Sequence, residues 1–179
     1  VIIIAGKIQL YPKAFYEKGL NIVTVPTTRN HTNAVNPAIK SLNYLNNILA
    51  KIEATNAGCV EAIMLNHEGF VAECTGDNIF MLKDDKMFTP PLAAGALHGI
   101  TRGVAIDLAE ANGIEVSEPD LTRYDLFNAD EVFITGTAAE VVPVVKIDGR
   151  QIGRGRPGRL TKKLMKAYKD LTNSTGQAI

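Results

Sequence analysis

Four short segments of this chain carry groups that could bind an anion or move a proton. Gly99-Ile100-Thr101 stands where an apolar periodicity begins, so it should open a helix. The unpaired N–H groups of a helix start, its positive dipole end and the Thr101 hydroxyl together make an anion site, although most such starts are simple caps. Gly136-Thr137-Ala138-Ala139 interrupts two apolar runs with small residues and a hydroxyl. Small residues let a ligand approach the backbone, but a bulge or tight bend leaves the same trace. Glu73 and Asp77-Asn78 flank Gly76 at a strand end, where a carboxylate faces either a ligand or, more commonly, water. Lys40 follows a polar loop that contains Arg29, Asn30, His31, Asn33 and Asn36, and its surroundings do not separate it from a surface lysine. His98, beside Gly99, could serve as a base, yet a lone loop histidine is more often structural.

The elements that position these residues follow from periodicity. Val1 to Ile4 and Leu20 to Val25 are β-branched runs that predict two strands around Tyr11-Pro12. Leu42, Leu45, Ile48, Leu49 and Ile52 recur at helical spacing, so a helix is expected from Ser41 to near Gly58 with Lys40 at its junction with the loop. Ala62 to Leu65 and Phe70 to Ala72 form a hairpin about His67-Glu68-Gly69, and Asn78 to Leu82 with Met87 to Thr89 form another about Asp84-Asp85. A helix with Val104, Ile106, Leu108 and Ala109 on its apolar positions stops at Gly113. Ile114 to Val116 reads as a strand and Arg123 to Asn128 as a short helix. Glu131 to Thr135 and Val141 to Ile147 are strands, and an amphipathic helix runs from about Leu160 to Leu171 with Lys162, Lys163, Lys166 and Lys169 on its solvent face. Hairpins mixed with separate helices point to an α+β domain rather than a regular βαβ wind.

Composition narrows the function classes. With 179 residues, 46 % apolar and 21 % charged, the chain suits one globular domain with a real core. Nineteen basic residues balance nineteen acidic ones, so no overall basic field exists to gather nucleic acid or anionic membrane. Cys59 and Cys74 cannot build a disulfide framework, and with His31, His67 and His98 they show no metal-ligand spacing. A reducing cytoplasm and no metal are expected. The apolar runs are too short to span a bilayer, and Val1-Ile2-Ile3-Ile4 lacks a charged leader. A β-branched run at the very first residue reads as a strand cut from a longer chain.

Four segments together resemble the fold-type IV enzymes that use pyridoxal 5'-phosphate (PLP), and the branched-chain aminotransferases in particular. They are Ile39-Lys40-Ser41-Leu42-Asn43-Tyr44, Glu73-Cys74-Thr75-Gly76-Asp77-Asn78, Leu97-His98-Gly99-Ile100-Thr101-Arg102 and Gly136-Thr137-Ala138-Ala139-Glu140-Val141-Val142-Pro143-Val144. They occur in the family's order, with Arg29 ahead of the lysine. The resemblance implies a pseudo-barrel of mixed strands with helices packed outside. Residues 1–179 would be the cofactor-binding large domain, residues 1–30 including the end of the interdomain region, and a small N-terminal domain would be absent.

It further implies that Lys40 is the Schiff-base lysine and proton shuttle, that Glu73 meets the pyridine nitrogen and that Tyr44 meets the cofactor's O3′. Gly99, Ile100, Thr101, Gly136 and Thr137 would hold the phosphate, Leu97 would pack on the ring, and Thr137 and Ala138 would take the substrate carboxylate. Asn43, Asn78 and Arg102 divide between site support and packing. The implied reaction is amino transfer from Leu, Ile or Val to 2-oxoglutarate by a homodimer or higher homo-oligomer. The alternatives are a D-amino-acid aminotransferase, an aminodeoxychorismate lyase or an inactive truncated domain. As this fragment the enzyme is expected to be weak or inactive. Arg159 departs from the family pattern, in which proline commonly follows Pro157-Gly158.

Overall fold

In the computed structural model, which describes residues 2, 3, 5 and 11–175, one mixed sheet runs through the chain. Its elements are α1 (Lys13–Lys18), β1 (Leu20–Thr24), α2 (Leu45–Asn56), β2 (Ala62–Leu65), β3 (Val71–Cys74), β4 (Asn78–Lys83) and β5 (Lys86–Phe88). A 3-10 turn at Leu92–Ala94 leads to α3 (Ile100–Ala111), followed by β6 (Val116–Ser117), α4 (Arg123–Phe127), β7 (Glu131–Gly136), β8 (Glu140–Ile147), β9 (Arg150–Gln151) and α5 (Arg159–Ser174). The strand order is β3-β2-β1-β8-β7-β4-β5-β6, with β9 hairpinned onto β8. β1 is parallel to both β2 and β8, and β5 to β6, while the hairpins are antiparallel. This is the mixed-strand α+β architecture expected from the sequence.

The central strands are buried on both faces, and alternation along β4 shows how. Ile79 and Met81 join the core shared with Leu20, Ile22, Ile63 and Ile134, while Phe80 and Leu82 join the one capped by α3 and α5 through Ala105, Leu160 and Leu164. Phe80 stacks on Phe133 of β7, ring centroids 4.8 Å apart. Side chains of successive strand residues point to opposite faces, so Asn78, at the head of β4, belongs with Phe80 and faces the α3 side. The positive φ values of Asp84 (51°) and Asp85 (59°) give the β4-β5 hairpin its tight two-residue turn.

Three expectations change. The strand placed at Val1 to Ile4 lies partly outside the described residues, and Ile2 and Ile3 are exposed and not in a strand. The connection to β1 contains α1, too short for a periodic signal. The helix after Lys40 begins at Leu45 rather than Ser41, so Lys40 sits in a loop, five residues ahead of α2. Its buried face is also not the one periodicity indicates: Asn47, Ala50 and Ala54 pack inward, whereas Leu45, Ile48, Leu49 and Ile52 are exposed. Small side chains let α2 lie close to β2, and the aliphatic stripe is turned out.

Candidate active site

Glu73, on β3, is the most heavily engaged acid of the four segments. Its side chain is buried, and Arg29 Nη2 donates to Oε1. Asn78 Nδ2 and the Leu97 N–H both donate to Oε2, at 2.8 and 3.0 Å. Arg29 is itself held by Gly95, whose carbonyl accepts from Nε at 2.9 Å. An ionised carboxylate has about four lone-pair sites, so three donors leave one acceptor position, on Oε1. Burial pushes the Glu73 carboxyl above the usual range, and the Arg29 guanidinium, the Leu97 N–H and the Lys40 charge pull against it.

Asn78 ties the segments together. Its Nδ2 also donates to the Leu97 carbonyl at 2.9 Å, and a Cβ added to Gly99 would overlap its Oδ1. Glycine at 99 is therefore a matter of space, since its φ of -68° is open to any residue. The Gly103 N–H bonds the Gly99 carbonyl at 3.0 Å to start α3, leaving the amides of Ile100, Thr101 and Arg102 without helix partners. Next door, the carboxyl of Asp77 lies against Gly136, where a Cβ would overlap Oδ1.

Lys40, Tyr44, Gly136, Thr137 and Ala138 line one cleft of about 1060 Å³, together with Thr75, Gly76 and Asp77. The Tyr44 hydroxyl donates to the Thr75 carbonyl at 3.2 Å, beside Asn47 Nδ2 on the same oxygen at 2.8 Å. Burial, then the charge of Glu73, holds the Tyr44 phenol above its ordinary pKa, with Arg29 opposing. Glu73, Leu97, Gly99, Ile100 and Thr101 are not among the cleft's lining residues, and join it through Asn78 and Asp77. Thr101 is buried and Ile100 exposed. Asn43 is exposed, and Arg102 is buried in packing, bonded to the Pro90 carbonyl at 3.0 Å and to Glu118 at 2.6 Å. His98 is exposed.

Several residues of the cleft carried no sequence signal. Tyr11 and Phe15 line it from α1 and the residues before it, and the Tyr16 hydroxyl fastens the Gly136 to Ala139 turn through the Ala139 carbonyl at 3.0 Å. Glu61 is buried, its Oε1 accepting from the Ala62 and Thr75 N–H groups at 2.7 and 3.0 Å, with Lys51 Nζ 3.3 Å from Oε2. Asp77 is not the solvated acid expected at a strand end. It is buried, with the Tyr11 hydroxyl 3.4 Å from Oδ2, and burial and then the Glu61 charge raise its pKa to about 7.

Comparison with known proteins shows the family and the fold. The family model described as amino-transferase class IV matches residues 1–147. This chain belongs to the class IV aminotransferase family. It is 45 % identical over 163 residues to the branched-chain-amino-acid aminotransferase of Pseudomonas aeruginosa, a match covering 90 % of this chain and 53 % of the relative. Among solved class IV structures, it superposes on the Escherichia coli branched-chain amino acid aminotransferase with a TM-score of 0.87 and 42 % identity, covering 89 % of this chain and 53 % of that one. The branched-chain enzyme from Thermobaculum terrenum, solved in its PLP-form, gives 0.82 and 39 %, covering 84 % and 50 %. The chain thus spans about half the length of these family members.

Among the described residues, no helix is long and apolar enough to cross a membrane, and no group of three or more His, Cys, Asp or Glu residues could hold a metal ion.

Proposed function

We propose that the chain is the PLP-binding large domain of a branched-chain aminotransferase that exchanges amino groups between Leu, Ile or Val and 2-oxoglutarate in the cytoplasm. In this reading residues 1–30 include the end of the interdomain region, and a small N-terminal domain belongs to an upstream segment. The observation that carries it is the joining, through Asn78 and Asp77, of a buried carboxylate, a helix start and the cleft that contains Lys40. The donor set fits the cofactor on structural grounds: Glu73 keeps one free acceptor site, and Gly99 leaves no room for a side chain at a helix start with unpaired amides. The P. aeruginosa and E. coli relatives support the substrate class.

When bound, PLP supplies a carbonyl for the substrate amine and a ring that spreads charge from Cα. Lys40 would supply the primary amine that carries the cofactor and then, in its neutral form, would take the proton from the substrate Cα and deliver it to the cofactor's C4′. The free acceptor site of Glu73 would receive the ring N–H and keep that nitrogen protonated. Tyr44, whose hydroxyl donates to the Thr75 carbonyl, would exchange that acceptor for the ring's O3′, and Leu97 would pack on a ring face. The Ile100 and Thr101 amides, with the Thr101 and Thr137 hydroxyls beside Gly99 and Gly136, would hold the phosphate dianion, as helix starts do. The N–H groups of Thr137 and Ala138 receive the substrate carboxylate. Aliphatic side chains exposed along α2 support a homodimer or higher oligomer.

The test is a donor panel. With PLP and 2-oxoglutarate, L-leucine, L-isoleucine and L-valine should yield glutamate while D-alanine does not and aminodeoxychorismate releases no pyruvate. Glu73→Gln should keep the bound chromophore but slow the single-turnover half-reaction by a few kcal/mol in the barrier, each ~1.4 kcal/mol being tenfold. Turnover of D-alanine or of aminodeoxychorismate in preference to L-leucine would contradict the reading.

A further inference from the structure

A second concavity, of about 910 Å³, lies where the head of β7 meets the Gly153 to Gly158 loop and the start of α5. Arg154, Arg156, Arg159 and Lys162 line it, with Asp130 and Glu131 as its acids. Although the chain is neutral overall, nine of its nineteen basic residues fall between Lys146 and Lys169, against the single acid Asp148. We propose that this cleft binds the phosphates of a small polyphosphorylated anion through Arg154, Arg156 and Lys162, with Arg159 at its rim.

Charge accounting favours an anion. Asp130 is turned away to Lys83 Nζ at 3.1 Å and the Asp84 N–H at 3.0 Å. Glu131 accepts from the first amides of α5, at Leu160 (3.1 Å) and Thr161 (2.7 Å), so the helix start is already taken. Arg159 is 2.9 Å from Asp85. Arg154, Arg156 and Lys162 form no ion pair among the described residues, which leaves three uncompensated cations around one hollow.

The frame that presents them is tightly packed. A Cβ on Gly153 would overlap the Asp130 carbonyl and one on Gly158 the Glu131 carboxylate, while the Gly155 N–H bonds the Ile152 carbonyl at 2.9 Å. Arginines carried on such a frame can meet phosphate oxygens in bidentate fashion. The size suits a small molecule. Single-stranded nucleic acid fits less well, because no aromatic side chain lines the cleft to stack a base and two of the three further lysines of α5 are engaged, Lys166 with Asp170 and Lys169 with Glu140. Recognition should therefore count phosphates and ignore any attached base.

The test is calorimetric titration of orthophosphate, pyrophosphate, tripolyphosphate, ADP and ATP into the PLP-saturated protein at about 0.1 M salt. Tripolyphosphate and ATP should bind alike and at least about tenfold more tightly than orthophosphate. Arg154→Glu with Arg156→Glu, and separately Lys162→Glu, should each weaken tripolyphosphate by about tenfold or more, the loss of a charge-assisted contact. These side chains are exposed, so the melting midpoint should not move. Equal affinity in the variants, no binding at millimolar tripolyphosphate, or tighter binding of an RNA oligomer than of tripolyphosphate would each overturn the proposal.

Discussion

Asn78 Nδ2 donates to Glu73 Oε2 at 2.8 Å and to the Leu97 carbonyl at 2.9 Å, so one amide joins β3, β4 and the entry to α3. With Arg29 on the other carboxylate oxygen, this makes Glu73 a group whose position is determined from two sides. Removing Arg29 leaves a buried carboxylate without its cation, which costs about 3–5 kcal/mol, whereas Asn78→Ala strands weaker acceptors at about 1–3 kcal/mol. Denaturant midpoints should fall in the order wild type, Asn78→Ala, Arg29→Ala. Midpoints for Arg29→Ala within error of wild type would show that the pair does not hold the site.

Gly99, which caps α3, and Gly103, inside it, should behave oppositely. Gly99→Ala pushes a methyl into Asn78 Oδ1, whereas a Cβ at Gly103 meets nothing within 4 Å. Gly103→Ala should stabilise by about 0.5–1 kcal/mol through helix propensity, and Gly99→Ala should destabilise by about 1–3 kcal/mol and weaken PLP binding. Thermal melts and a PLP titration of both variants check this.

The buried Asp77 gives stability a pH signature. Its folded pKa, about 7, lies above the usual carboxylate value, so between those two values the folded state holds a proton that the unfolded state has released. Stability from this group is fully present below the unfolded pKa and is lost as pH rises through about 7, a swing on the order of a few kcal/mol. Asp77→Asn should flatten that decline, measured as urea midpoints from pH 4 to 8. Parallel curves for the two proteins would show that Asp77 does not titrate in that window.

The outward aliphatic stripe of α2 should drive self-association. Leu49→Lys and Ile52→Lys, at half-exposed positions, should change folding stability by no more than about 0.5 kcal/mol yet shift sedimentation toward a smaller species. Unchanged sedimentation would remove α2 from any subunit contact.

Both hairpins and the strands from Leu20 onward were legible because β-branched runs and turn residues act locally, as Asp84-Asp85 and Gly69 do. The site was legible only in part. Glu73, Gly99 and Gly136 occupy segments with small-residue and carboxylate signals, but nothing local distinguished Lys40 from a surface lysine, and only the company of the other motifs did. Tyr11, Glu61 and Lys51 reach the cleft through tertiary packing, which no spacing encodes. Helical periodicity identified α2 yet assigned its burial to the wrong face, since close approach to β2 favours Ala50 and Ala54 over leucine.

In the proposed function Lys40 carries the cofactor in the cleft beside Tyr44 and Thr137. Incubation with PLP, borohydride reduction and peptide mapping tests it most directly. Lys40 is exposed here, as are Thr137 and Ala138, so a high PLP concentration is expected to be needed with this chain alone, and its transaminase activity should be small. The pyridoxyl adduct should fall on the Lys40 peptide and on no other. An adduct on Lys51 or another lysine, with Lys40 unmodified, would contradict it.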